Sequence, residues 1–251
     1  MTPFAPETVL SAFLVFCRIG ACLMIAPGFS STQIPAKVRL FIALALSLAV
    51  TPLLLDEVRR KLGDGAPGTL LALIFAELAT GLLIGFVARL FFMALQTITV
   101  AVTQAIGLGG IPGTVIEDQE QPPALSTLFT LTATTLMFIS GLHLVLIRGL
   151  IDSYTSIPAG QGLSPRLALV GVADQLRVTF LVALRIGSPF LVYSIIVNFA
   201  IGVTNKLTPQ IPVFFIATPF VMAGGLLLLL IAAHEFVEYF EAAFATWLAR
   251  G

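Results

Sequence analysis

The residues of this chain that could do chemistry are ionisable side chains within or at the edges of long apolar segments. They are Arg18, Arg39, Glu77, Arg89, His143, Arg148 and Arg185. A charge at the centre of a bilayer costs about 2.5–3.5 kcal/mol on insertion scales, so such groups need protein or water around them. We therefore expect these side chains to face partners inside a larger intramembrane assembly.

Patterns of known active sites are incomplete in this sequence. His234-Glu235 begins like the helix of a zinc protease, but the residue four positions after His234 is Glu238 rather than a second histidine. With only His143 elsewhere, a zinc site lacks ligands. The sequence shows no nucleophile elbow, P-loop or dinucleotide fingerprint. We predict no enzymatic activity, no cofactor and no metal.

The composition indicates a membrane protein. Apolar residues make up 58% of the chain and charged residues 10%, whereas soluble domains have about 25% charged residues. The net charge of zero gives no indication of a nucleic-acid partner. Cys17 and Cys22 match neither a redox pair nor a metal site and are predicted to be packing residues. No Lys or Arg precedes the first apolar segment, so we expect that segment to be retained rather than cleaved.

Six apolar stretches must position these side chains, and each is long enough for a spanning helix of roughly 20 residues. They are Thr8–Ala26, Ala36–Leu55, Thr69–Leu108, Ala124–Ile151, Val178–Val203 and Ile211–Ala233. The third exceeds one span, so it is either one long tilted helix or two helices broken near Gln96. No stretch alternates like a membrane strand, and backbone groups in lipid must bond internally. The predicted fold class is all-α, a multi-helix membrane-associated protein with helical hairpins and kinked long helices.

The connections and their charges do not give a simple topology. Asp152–Arg177 is predicted to be a polar crossover with a short amphipathic helix, and Lys206–Pro212 to be a turn or kink. Basic residues lie at the start of the second stretch, at Lys37 and Arg39, and beyond its end at Arg59–Lys61, on what would be opposite sides of one span. We therefore favour hairpins that do not cross the membrane for some segments.

Glu77 is the only acid deep in an apolar stretch, and two interpretations stay open for it. It is either a site that couples transport to an ion, or one half of a buried salt bridge that fixes helix register. Its candidate partners are Arg18, Arg39, Arg89 and Arg185. Nearby, Gly81-x-x-x-Gly85 puts two glycines on one helix face and predicts close helix packing.

The loop after the third stretch is rich in glycine and apolar residues. It consists of Gly107, Leu108, Gly109, Gly110, Ile111, Pro112 and Gly113. Glycines give its backbone wide conformational freedom, and the apolar side chains between them exclude water. Such a loop suits a deformable seal, and the alternative is an ordinary turn between helices.

Short motifs spread in order over nearly the whole chain resemble the FliR family of flagellar export-gate proteins and its injectisome counterpart, SctT. They are Arg18-Ile19-Gly20, Ala26-Pro27, Phe29, Ile34-Pro35 and Arg39; Glu77-Leu78, Gly81 and Gly85-Phe86; Gln104 and Gly107; Gly141-Leu142-His143, Leu146-Ile147 and Ser153-Tyr154; Pro189, Asn198, Gly202, Pro209-Gln210, Val213-Phe214 and Pro219. Two positions depart from the family pattern: Pro212 where an Asn is usual, and Lys206 where an Arg is usual, which keeps the charge without the planar fork.

The resemblance implies a single export-gate domain over residues 1–251, in the bacterial inner membrane and flagellar basal body. The chain would join FliP-like and FliQ-like membrane subunits and an FlhB-like switch protein in a hetero-oligomeric helical assembly that passes unfolded export substrates. In that family the glycine loop contributes to a plug, which places this role on Gly107–Gly113. Residues expected to be buried in assembly contacts are Arg18, Arg39, Glu77, Arg89, His143, Arg185, Asn198, Lys206 and Gln210.

Two other functions stay open on the sequence. The chain could be a small-molecule or ion transporter that works as a homo-oligomer, in which case it would act alone in liposomes. It could also be an assembly factor that scaffolds other membrane proteins without lining a pore. Membrane lipid is a contact in every case.

Overall fold

A computed structural model of the chain describes residues 6–31, 34–62, 66–109, 123–162 and 164–250. Its described residues form seven α-helices and no strand, which confirms the predicted all-α class. The helices are α1 (Pro6–Ile25), α2 (Ala36–Leu62), α3 (Pro67–Ala105), α4 (Ala124–Ile139), α5 (Leu142–Ser156), α6 (Pro165–Leu207) and α7 (Val213–Arg250).

Five of these helices are long and apolar enough to cross a membrane, namely α1, α2, α3, α6 and α7. The third apolar stretch is one helix, because α3 runs for 39 residues without a break at Gln96. At 1.5 Å per residue α3 is about 58 Å long, roughly twice the hydrocarbon thickness of a bilayer. An upright α3 therefore extends well beyond the hydrocarbon layer of a membrane that it crosses.

The fourth apolar stretch is predicted to be one continuous segment, and this prediction is wrong. The helix breaks at Ser140-Gly141, between α4 and α5. Gly141 has a φ of 74°, a left-handed conformation that glycine adopts without the strain of a side chain. The α4–α5 pair qualifies together as a sixth apolar segment, either a broken span or a re-entrant one.

The predicted crossover Asp152–Arg177 is also different in the structure. Its first residues complete α5, which ends at Ser156, and its last residues belong to α6, which begins at Pro165. The expected short amphipathic helix is therefore the first part of a 43-residue helix. Proline suits the first turn of a helix because its missing N–H would be unpaired there in any case. The turn predicted at Lys206–Pro212 is confirmed, since α6 ends at Leu207 and α7 begins at Val213.

The chain divides into two compact units that are interleaved along the sequence. The first contains the described residues of Met1–Phe91, Ser140–Arg177 and Leu248–Gly251, and the second contains Phe92–Ile139 and Val178–Trp247. In the first unit α1 packs against α2, and every residue of α1 from Cys17 to Leu23 is buried. Cys17 and Cys22 are buried free thiols there, as expected for packing residues.

The core of the second unit is aromatic. Phe92 of α3 meets Phe240 of α7 edge to face, with ring centroids 5.4 Å apart. Phe236 of α7 contacts Phe129 of α4 and Phe190 of α6, with centroids 4.6 Å and 6.4 Å apart. These contacts join four helices by large apolar rings, and tilted or edge-to-face pairs add to the burial of their area.

Candidate functional site

A buried ion pair joins α1 and α3 in the first unit. Arg18 and Glu77 are each 1% exposed. The Arg18 Nε and Nη2 atoms donate to the two carboxylate oxygens of Glu77 over 2.7 Å and 3.0 Å. This is the bidentate fork that arginine forms with a carboxylate. Of the four arginines considered for Glu77, Arg18 is the one that pairs with it.

The Arg18 guanidinium uses all five of its N–H donors. Besides the two bonds to Glu77, Nη1 donates to Ser153 Oγ, and both Nη1 and Nη2 donate to the Ile157 carbonyl, each over 3.1 Å. The ring of Tyr154 lies against its face, with Cζ 3.7 Å from the ring centroid. A buried charge is tolerated when its donors are satisfied in this way.

The Glu77 carboxylate also accepts a bond from the turn that follows α5. Gly160 N–H donates to Oε1 over 2.9 Å. Gly160 has a φ of 74°, and a Cβ there would collide with the Leu73 side chain. Only glycine therefore brings this N–H onto Glu77 without strain or a clash. The ion pair joins α1, α3 and the end of α5 into one network.

Close packing of helix backbones brings α1 and α3 together beside this pair. A Cβ added to Gly85 would lie 2.6 Å from the Cys22 carbonyl oxygen, and one added to Gly81 would collide with the Arg18 carbonyl. The predicted Gly81-x-x-x-Gly85 face is therefore where α1 backbone contacts α3 backbone, a use of glycine that is common between membrane helices.

Glu77 has the contacts expected for one half of a buried salt bridge. It is 1% exposed and bonded to Arg18 and Gly160. The sequence identifies Arg18 as one candidate partner of Glu77. It gives Ser153-Tyr154 no role beyond the family resemblance. Their contribution depends on the fold of α5 and was not readable from spacing.

The other polar residues expected in assembly contacts lie outside this network. Arg39 is half-buried and donates from Nε to the Ile34 carbonyl over 3.1 Å. His143 is half-buried on α5, and Arg89 and Arg148 are exposed on α3 and α5. The structure therefore does not bring these four side chains to Glu77.

A second group of predicted contact residues lies on exposed faces of α6 and the turn after it. Asn198 bonds within α6 to the Ser194 carbonyl over 2.8 Å. Lys206 and Gln210 are exposed. Arg185 lies over the ring of Tyr239, with Cζ 5.0 Å from the centroid. Within this chain these side chains are available to partners rather than buried.

Only the start of the glycine loop falls within the described residues, since Gly110–Gly113 lie outside them. Gly107 has a φ of 78°, and a Cβ there would lie 3.3 Å from Met222 Cγ of α7. Leu108 N–H donates to the Thr103 carbonyl over 2.9 Å and closes α3. A Cβ on Gly225 of α7 would lie 2.4 Å from Ile106 Cβ, so glycine is needed there too. The root of the loop is thus packed against α7 in the second unit.

The described residues contain no group of three His, Cys, Asp or Glu side chains that could hold a metal ion. The fragment that begins like a zinc-protease helix forms an ordinary contact within α7. His234 Nδ1 lies 3.2 Å from Glu238 Oε2, and both side chains are well exposed.

Fold and site together define an all-helical membrane protein with an ion pair buried between helices and further charged groups exposed on helix faces. The sequence profile of the bacterial export proteins, family 1, matches residues 9–247. The chain belongs to this family, and the match covers residues of both units.

Named relatives agree with this membership. The chain is 30% identical to the flagellar biosynthetic protein FliR of Caulobacter vibrioides, over 88% of this chain and 87% of the relative. It is 28% identical to FliR of Aquifex aeolicus, over 94% and 93%. It is 27% identical to the Yop proteins translocation protein T of Yersinia pestis, over 92% and 88%. The chain is thus a membrane component of a bacterial export apparatus, and the expected family is confirmed.

Proposed function

We propose that this chain is a non-enzymatic structural subunit of the type III protein export gate, of the flagellar kind, in the bacterial inner membrane and basal body. It forms part of the wall, and part of the closure, of a pore for unfolded protein substrates. The observation that carries the proposal is the family match over residues 9–247, together with relatives that have flagellar and translocation names. The two compact units act as one gate domain over residues 1–251.

Exposed polar groups on apolar helices support a hetero-oligomeric setting. Asn198 and Lys206 lie exposed on α6, where neighbouring side chains such as Ile195 and Phe199 are also exposed. A charge on such a face is expensive against lipid and is relieved by a protein partner or water. We propose that FliP-like and FliQ-like subunits and an FlhB-like switch protein supply these partners. The energy for export comes from elsewhere, because the sequence has no nucleotide-binding motif.

The glycine loop Gly107–Gly113 is proposed as the part of the closure that this chain contributes. The packed root at Ile106 and Gly107 supports this role, because a seal needs a fixed base and a deformable end. The role of residues 110–113 rests on the family resemblance.

Conductance of the assembled gate in a planar bilayer tests the closure. Removing three residues from Gly107–Gly113 should raise the closed-state ion conductance, because the seal no longer reaches across the pore. Removing Gly63, Asp64 and Gly65, which connect α2 and α3, is the control of equal length and should leave it unchanged. An unchanged conductance in the glycine-loop variant would remove the plug from the proposal while leaving the wall role.

The transporter alternative is not favoured by the family match. It predicts that the chain alone moves a small molecule or ion in liposomes, with Glu77 as the coupling group. Glu77 is engaged by Arg18 and Gly160, which supports the structural role instead. Uptake by liposomes that contain only this chain, abolished by Glu77→Gln, would replace the export-gate proposal with the transporter.

A further inference from the structure

A groove between α6 and α7 in the second unit combines apolar walls with charges of both signs, and the network around Glu77 does not include it. The cavity has a volume of about 510 Å³, and Arg185, Pro189, Glu235, Phe236, Glu238 and Tyr239 line it. This is within the range of roughly 300–1,000 Å³ that is usual for small-molecule sites. We call it the α6–α7 groove.

The groove lies on α7 directly after an uncharged segment of that helix. Residues 213–233 contain no Asp, Glu, Lys, Arg or His, and at 1.5 Å per residue they extend over roughly 30 Å, the thickness of that layer. His234 and Glu235 follow immediately. If residues 213–233 cross the layer, the groove lies at the depth of the lipid headgroups.

The charges of the groove are arranged for a ligand that carries both signs. Arg185 is exposed and stacks on Tyr239, and among the described residues it forms no ion pair. Stacking uses the face of the guanidinium and leaves its in-plane N–H donors available to a phosphate. Glu235 and Glu238 are exposed and three residues apart, so they lie on one side of α7. Glu238 Oε2 lies 3.2 Å from His234 Nδ1, and its other carboxylate oxygen and the Glu235 carboxylate can accept from an ammonium group.

We propose that the α6–α7 groove binds the headgroup of a phospholipid with a phosphate and a primary ammonium, as in phosphatidylethanolamine. The guanidinium of Arg185 holds the phosphate, and the carboxylates of Glu235 and Glu238 accept hydrogen bonds from the ammonium. The apolar wall formed by Pro189 and Phe236 contacts the start of the acyl chains. This inference depends on the membrane location of the chain and is independent of the export-gate proposal.

The same contacts predict which headgroups are rejected. A choline headgroup has no N–H to donate to the carboxylates. The ring of Tyr239, which could attract a quaternary ammonium, already has the Arg185 guanidinium over one of its faces. A glycerol headgroup brings no positive charge and leaves Glu235 and Glu238 facing the lipid phosphate. Phosphatidylethanolamine is therefore expected to bind in preference to phosphatidylcholine and phosphatidylglycerol.

Native mass spectrometry of the full-length chain in detergent tests this preference. Dioleoyl phosphatidylethanolamine, phosphatidylcholine and phosphatidylglycerol are added separately at equal concentrations, and the lipid-bound fraction is measured. We expect up to about fivefold more retention of phosphatidylethanolamine, the upper end of what one exposed ion pair contributes. Arg185→Gln should lower the retention of phosphatidylethanolamine, and Glu235→Gln should remove its advantage over phosphatidylcholine.

The matched control is Arg148→Gln, which neutralises an exposed arginine on α5 outside the groove. All three variants change exposed side chains, and equal far-ultraviolet circular dichroism would establish that they fold alike. Equal retention of the three lipids, or the same effect of Arg185→Gln and Arg148→Gln, would overturn the proposal. A partner subunit that co-purifies through Glu235 while no lipid is retained would also overturn it, in favour of a protein contact.

Discussion

Removing one partner of the buried Arg18–Glu77 pair should destabilise the first unit strongly. Glu77→Gln keeps the size of the side chain but removes the charge that compensates Arg18. The bonds from Arg18 Nε, Arg18 Nη2 and Gly160 N–H to the carboxylate are lost or weakened. Both partners are 1% exposed, so water does not replace them. Breaking a buried pair from one side costs about 3–5 kcal/mol, and we expect a loss of that size.

The assay is unfolding of the full-length chain in mixed micelles with increasing dodecyl sulfate, followed by circular dichroism. A double-mutant cycle with Arg18→Met and Glu77→Leu separates the pair from the packing around it. The double variant should be less destabilised than the sum of the single variants, because neither charge is then left alone. In the double variant the Ile157 carbonyl and the Gly160 N–H each lose their hydrogen-bond partner. Each loss lowers stability by roughly 1–3 kcal/mol.

The exposed pair between Arg59 and Glu7 provides the control for this experiment. Its side chains are 37% and 56% exposed, so Glu7→Gln should change stability by no more than about 1 kcal/mol. If Glu77→Gln costs no more than Glu7→Gln, the buried network is not what holds α1, α3 and the end of α5 together, and the reasoning is refuted.

Two further predictions follow from the same interface. Gly81→Leu should lower stability in the same assay by about 1–3 kcal/mol, because its side chain would collide with the α1 backbone. The control is Gly149→Ala, whose added Cβ meets nothing within 4 Å. Equal stability of the two variants would contradict close packing of α1 and α3. Glu77→Ala should reduce the yield of assembled gates, measured by co-purification, more than the export rate per assembled gate. Normal yield with lost export would favour a coupling role for Glu77.

Sequence patterns were sufficient for the helical class because long apolar stretches leave few alternatives in a membrane. They failed where one residue decides between continuity and a break. The stretch that contains Gly141 is apolar on both sides of this glycine, yet the left-handed backbone there ends α4 and starts α5. At the start of α6 the error is of the opposite kind. Polar composition predicts a separate short helix there, but the helix propensity of these residues lets them form the first part of α6.

The candidate site was only partly predictable for a geometric reason. Glu77 stood out as the single acid deep in an apolar stretch, but four arginines could have paired with it. Arg18 is selected because Gly81 and Gly85 let α1 approach α3 at that level. The contributions of the Ile157 carbonyl and Gly160 N–H come from a turn whose position depends on tertiary packing. Backbone groups leave no pattern in a sequence.

Purification of the tagged chain from native membranes in mild detergent, followed by mass spectrometry, tests the central claim most directly. The export-gate proposal predicts stoichiometric recovery of two small, very apolar partner proteins of the FliP and FliQ kinds. Recovery of the chain alone as a stable homo-oligomer would contradict that proposal and support the transporter.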